Sequence, residues 1–244
     1  MATVTLRPLT DAGPNTAVPS SGSNHYALVR DASDSTHLYS NLVDTGEIFT
    51  FDQTSETGTI NSVTFYYRGA RSNEGTARFE LDSESLESLT AYTIWSDIAV
   101  GYKTNTWVPS VSWTWEKINA IKAGYSATVN AGTEFTMTDI WVIVDYTAPP
   151  STPTGVTASD GTYMDKVAIS WSAGSGGGPV TGYYVYRDGD LIKDTASTSY
   201  DDTGATPAIV HTYTVKAYGA GGESAASDGN TGYMERSNLF TFHG

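Results

Sequence analysis

Residues 144–161 read VDYTAPPSTPTGVTASDG. Ahead of them runs DIWVIVDYT (139–147), apolar and strand-like, which halts at Pro149, Pro150 and Pro153 before a new alternating pattern starts at Thr154. Proline cannot donate to a sheet ladder, fixes its own φ and pushes the preceding residue towards extended backbone. The cluster therefore ends the strand and forms a short, semi-rigid extended spacer. The stretch reads as a domain boundary: a first domain over 1–147, a linker over 148–153, a second domain over 154–233 and a tail over 234–244.

Outward from this boundary the pattern is β throughout. The 244 residues are 39% hydrophobic and 12% aromatic, enough to build cores. Short β-branched and aromatic runs alternate with Gly, Asn, Asp and Ser clusters, the mark of an all-β sandwich protein. In the second half, KVAISWS points Val167, Ile169 and Trp171 inward. GYYVYRDG sets Tyr183 and Val185 on one face and Tyr184 and Tyr186 on the other. HTYTVKAYG alternates Tyr213, Val215 and Ala217. SAGSGGGPV reads as a flexible loop, and the last strand should finish near Tyr233. In the first half SWTWEKINAIKAG is the only convincing helix. Ser112 or Thr114 would cap it, Trp115, Ile118 and Ile121 share a face, and Gly124 would end it.

The composition also excludes. Net charge is −14. Split at Ala148, the first part carries 8 basic and 17 acidic residues and the second 5 and 10, so neither offers the basic stripe that nucleic acid requires. There are no cysteines, which removes disulfides, thiol catalysis and Cys-ligated zinc. MATVTLRPLT has no charged segment followed by an apolar one, so no signal peptide is read there. No apolar run reaches membrane-span length.

Chemistry is sparse. His25, His37, His211 and His243 show no metal-ligand spacing. Carboxylate pairs such as Asp31/Asp34, Glu84/Glu87, Asp188/Asp190 and Asp201/Asp202 occur in any acidic chain, and a glycosidase needs two that face each other across a cleft. No enzymatic activity and no cofactor are expected. Calcium could find oxygen ligands in DASDS (31–35) or RDGD (187–190), which fit Asp/Ser turns equally well. Five of the six tryptophans lie before residue 148. Trp107, Trp113 and Trp115, packed into nine residues, are the candidates for stacking on sugar rings, set against the plainer reading that they bury the helix on the sheet. Leu239, Phe240 and Phe242 are too apolar for an idle tail and are the candidate partner contacts.

Two resemblances follow from these segments. PSTPTGVTAS, VAISWS, GYYVYRDG and TYTVKAYGAGGES, in that order, resemble a fibronectin type III domain, of immunoglobulin-like architecture. The resemblance implies that Trp171 packs in the core and that Tyr213 forms a tyrosine corner, its hydroxyl reaching back to backbone. VTLRP, GTINSVTFYYRGAR, WTWEKINAIKAG and DIWVIVDYT resemble a jelly-roll-like β-sandwich module of tailed-bacteriophage structural proteins. They are more distantly similar to carbohydrate-binding jelly-roll modules of secreted enzymes. The resemblance to the tailed-bacteriophage module implies a non-enzymatic virion protein, a capsid decoration or other head or tail accessory. It would be made in the host cytoplasm and sit on the virion surface in a symmetric, homo-oligomeric array. Its partners would be the major capsid protein or other virion proteins, and host-surface glycans. One sandwich, the first, would dock and the other would be displayed. The alternative is a carbohydrate-binding module followed by a fibronectin-like spacer, from a secreted polysaccharide-degrading enzyme.

Overall fold

The computed structural model describes residues 1–11, 18–19, 38–40, 45–71, 75–81, 92–93, 103–107, 112–129 and 135–236. The chain is all-β and folds as two β-sandwiches. It divides into two compact units: Ala2–Glu56 with Ile60–Tyr146, and Thr147–Gly244 with Met1 and Thr57–Thr59.

In the first unit one sheet holds β1 (Ala2–Leu6), β3 (Val18–Pro19), β4 (Leu38–Ser40), β6 (Thr59–Arg71), β9 (Lys103–Trp107) and β11 (Phe135–Thr147). Their order is β3-β4-β11-β6-β9, with β1 also on β11. The facing sheet holds β2 (Pro8–Asp11), β5 (Thr45–Phe51), β7 (Gly75–Leu81), β8 (Tyr92–Thr93) and β10 (Lys122–Val129), in the order β2-β5-β10-β7-β8. From β4 to β11 the chain changes sheet at almost every step, which makes the sandwich jelly-roll-like. Alternation decides what is buried. Along β11, Ile140, Val142, Val144 and Tyr146 turn inward to meet Leu6, Phe49, Phe51, Val63 and Phe65.

The helix is shorter than its sequence pattern. α1 spans Trp115–Asn119 and ends at Ala120. Thr114 caps it, its hydroxyl accepting from Lys117 N–H at 3.2 Å. Gly124 does not end it but lies inside β10, opposite Ile48 and Glu80. Ile118 and Ile121 are both buried, yet Ile121 is already on the way into the strand. The helical period carried two residues past the helix because the next strand buries its own apolar side chains in the same core.

The second unit pairs a three-stranded sheet with a five-stranded one. The first holds β12 (Thr154–Ala158), β13 (Val167–Ser172) and β16 (Ser199–Asp202), in the order β12-β13-β16. The second holds β14 (Gly182–Arg187), β15 (Asp190–Thr195), β17 (His211–Gly219), β18 (Gly222–Glu223) and β19 (Asn230–Gly232), ordered β15-β14-β17-β18 with β19 also on β17. Val167, Ile169, Trp171, Tyr183, Val185, Tyr213, Val215 and Ala217 form the core, as the alternation requires.

Two local devices shape this unit. The segment 172–180 is not a free loop. Gly178 N–H donates to Pro149 O at 2.9 Å, and Pro150 and Gly177 form an isolated bridge. A Cβ at Gly178 would lie 2.1 Å from Ala148 O. Gly177 has φ +67 and its Cβ would lie 2.6 Å from Pro149 O. The glycines are there so that backbone can close on the proline segment. Between β18 and β19, serines stand in for strand pairing. Ser224 N–H and Ser227 N–H donate to Ala217 O and Val215 O, while their hydroxyls accept from the N–H groups of the same two residues.

Candidate functional site

Trp115 is the half-buried ring at the start of α1. Its ring meets Tyr146 edge to face, centroids 5.1 Å apart. The Tyr146 hydroxyl donates to Glu56 Oε2. Asn119, one turn after Trp115, accepts from Thr54 N–H at 2.8 Å and donates to Thr54 O at 3.0 Å. That two-way amide pairing fastens Thr54, two residues before the exposed Glu56, to the helix. The hydrogen bond to Glu56, then burial, then the carboxylate's charge push Tyr146 up to about 12. It stays a phenol at working pH, its proton committed to Glu56. Tyr146 thus links the two groups: its ring meets the Trp115 indole and its hydroxyl holds the Glu56 carboxylate.

Trp113 is set differently. Its ring leans on the fully buried Phe65, centroids 6.1 Å apart, and its Nε1 is buried with no hydrogen-bond partner. Trp107 stands opposite Phe65 in the β6–β9 register; its side chain lies outside the described residues.

A further aromatic group escaped the sequence reading. Trp141 is on the outer face of β11, stacked on Tyr66 of β6 at 5.0 Å and 6°. The Arg7 guanidinium lies 5.0 Å from the Trp141 ring centroid and binds the buried Asp139 at 2.7 Å. β1 and β6 flank β11 on opposite sides, so the cation and the phenol cover both faces of the indole. The signal was in DIWVIVDY: alternation sets Trp141 against the inward run Ile140, Val142, Val144.

In the second unit Trp171 is 6% exposed and packs edge to face on Tyr183 at 5.4 Å. Tyr213 is fully buried, but its hydroxyl does not reach backbone. It donates to Asp202 Oδ2 at 2.9 Å, the oxygen that also holds Arg187 at 2.8 Å. A buried carboxylate at the end of β16 outcompetes the carbonyl, because a charged acceptor makes the stronger bond. In RDGD both Asp188 oxygens are taken, one by Thr212 N–H at 2.8 Å and the other by His211 Nδ1 at 2.6 Å. Asp201 binds Lys166 at 2.7 Å. The segment 31–35, the pairs Asp31/Asp34 and Glu84/Glu87, and Leu239, Phe240 and Phe242 lie outside the described residues. Among the described residues no three His, Asp or Glu side chains gather as a metal site, and no helix is long and apolar enough to cross a membrane.

No family model matches the chain. It is 42% identical over 81 residues to chitinase Chi52 of Paenibacillus xylanexedens, a match covering 33% of this chain and 15% of that one. It is 31% identical over 180 residues to an alpha-amylase of Niallia circulans, covering 70% and 14%. It is 39% identical over 80 residues to exoglucanase B of Cellulomonas fimi, covering 33% and 7%. Among solved structures, a Fn3-like protein from Clostridium thermocellum is similar over 36% of this chain and 95% of that one, at 26% identity and a TM-score of 0.32. The chain thus spans a small part of the curated relatives it matches. The amylase match is longer than either half and runs across the proline joint.

These relatives correct the virion reading. A chitinase, an amylase and an exoglucanase are polysaccharide-acting enzymes by name, and they overturn the assignment to a tailed-phage decoration or accessory protein. The capsid and virion partners, the symmetric array and the virion-surface location fall with it. The physical reason for the error is that the quoted first-half segments are core and turn positions, which any jelly-roll-like sandwich shares whatever it is attached to.

Proposed function

We propose that the chain is the carbohydrate-binding and spacer portion of a polysaccharide-degrading enzyme, and that it has no catalytic activity of its own. The observation that carries this is the set of relatives. Segments 31–42% identical recur inside three differently named enzymes and fill only 7–15% of each. Enzymes that cleave different polymers do not share a catalytic pocket; they share parts that bring a catalytic domain to its substrate. In this reading the first sandwich holds a glycan chain through the Trp115 ring, with Glu56 accepting from sugar hydroxyls and Asn119 keeping Glu56 in place. The second sandwich, its Trp171 and Tyr213 committed to the core, is the spacer.

The test is depletion of the 244-residue chain from solution by insoluble chitin, cellulose and starch, with reducing sugar measured in the same tubes. Retention on at least one polymer with no sugar released is expected. Sugar release would show an active site, and no retention on any polymer would remove the binding role.

A further inference from the structure

The second sandwich turns a tyrosine-rich face outward, on the side of its five-stranded sheet away from the core. Along β14, Tyr183 and Val185 are buried, so Tyr184 and Tyr186 stand on the outer face, each half-buried. Leu191 of β15 lies opposite Tyr186 in the register and is 54% exposed. Tyr218 of β17 lies opposite Gly182, where a Cβ would come within 2.4 Å of the Tyr218 hydroxyl oxygen. The missing side chain lets the ring lie across β14, and its hydroxyl donates to Asp194 Oδ1 on β15 at 2.8 Å. The Tyr218 and Tyr184 rings stack, centroids 4.4 Å apart and 23° from parallel. None of these three rings belongs to the core of the sandwich. Two of them are held in one orientation before anything binds, which lowers the ordering cost of a ligand.

The chemistry of the face selects its occupant. Lys216 Nζ lies 5.7 Å from the Tyr186 ring centroid and binds Glu223 Oε2 at 3.1 Å, and Asp194 accepts from Tyr218. The cation is matched by a carboxylate and the other carboxylate is engaged by a phenol, so the face holds little field to attract a charged partner. Three half-buried phenols and Leu191 leave apolar surface on the order of a few hundred Å², well under the roughly 800 Å² per partner of a stable protein interface. A neutral sugar chain needs less area. Its C–H faces lie on aromatic rings, and its hydroxyls reach polar groups at the rim.

We propose that Tyr184, Tyr186, Tyr218 and Leu191 form a second glycan-binding face, which takes a neutral polysaccharide chain on the outer sheet of the sandwich assigned as spacer. The class of ligand rests on the polysaccharide reading; the face itself rests on the tyrosines. The test is adsorption of the 244-residue chain and its Tyr186→Ser, Leu191→Ser double variant to insoluble chitin, cellulose and starch, over a range of protein concentrations. On the polymer that retains the wild type, the variant should bind about fivefold or more weakly. Its thermal unfolding and its size-exclusion volume should match those of the wild type. Leu191→Ser alone gives a second comparison should the double variant fail to fold. Retention of the wild type with equal affinity in the variants would overturn the proposal and leave the polysaccharide reading standing. No retention of the wild type on any polymer would remove both. A larger wild-type species that the variant lacks would place a second copy of the chain on this face, and would also overturn the proposal.

Discussion

Trp171 and Tyr146 show how differently two buried aromatic residues report on this molecule. Trp171 sits among Val185, Tyr183 and Val215 in a sandwich with a small core. Truncating a buried Trp costs roughly 3–5 kcal/mol, a large share of a small domain's stability. Trp171→Ala should therefore leave the second sandwich marginal or unfolded, read by loss of its thermal transition; a stable variant would show that the ring is not structural. Its role was legible because a strand alternating Val, Ile and Trp has one inward face. Tyr213's burial was legible in the same way, but its partner was not: Asp202 approaches from β16, and sequence gives no distance between strands. Tyr146 tests the candidate site. Its ordinary value of 10.0 is raised to about 12 by Glu56 and burial. An acid whose folded value is raised contributes stability that is complete below the unfolded pKa and is lost as pH rises through the folded one. The chain should lose stability between pH 10 and about 12, and Glu56→Gln should move a phenol titration downward, followed by ultraviolet absorbance. An unchanged titration would mean that Glu56 does not hold Tyr146.

At the scale of elements, the strands of the second half were readable one by one, whereas the joints between them were not. A Gly-rich run looks mobile in sequence because glycine permits many conformations. In the structure that permission is used to bring Gly177 and Gly178 against Ala148–Pro150. Gly178→Ala puts a Cβ 2.1 Å from a carbonyl oxygen, a clash with backbone that cannot turn aside. It should destabilise the second unit by roughly 1–3 kcal/mol and speed proteolysis within residues 147–152. An unaltered melting temperature would mean that the proline segment is not clasped. The serine pair gives an independent check. Ser227→Ala leaves buried Val215 N–H without its hydroxyl acceptor, which costs about 1–3 kcal/mol, again read as a shift in melting temperature. For α1 the apolar period misled, because Ile121 lies past the helix, just ahead of the strand that holds Ala123, and both are buried. Thr114 as cap was readable from its place ahead of the apolar face.

For the whole molecule, two cores in two compact units call for two thermal transitions, and calorimetry showing a single one would contradict the division at the proline cluster. The fold class was open to sequence reading because alternation, turns and prolines are local signals. Function was not, for a matching physical reason: β-sandwiches use the same core and turn residues whether they decorate a particle or hold a sugar chain. What separates the two is a few side chains on the surface, and the sequence had no motif to rank Trp115 above Trp107, Trp113 or Trp141. Contacts distinguish three of them: Trp141 stacks on Tyr66 and lies against Arg7, Trp113 leans on Phe65, and Trp115 meets the Tyr146 that holds Glu56. The most direct measurement is therefore a titration of the 244-residue chain and its Trp115→Ala variant against the polysaccharide that retains it. Removing a stacking aromatic platform should weaken binding about fivefold or more, since an anchor residue is worth upwards of about 1 kcal/mol, with both thermal transitions unmoved. Equal affinity in the two proteins would contradict the assignment of the site.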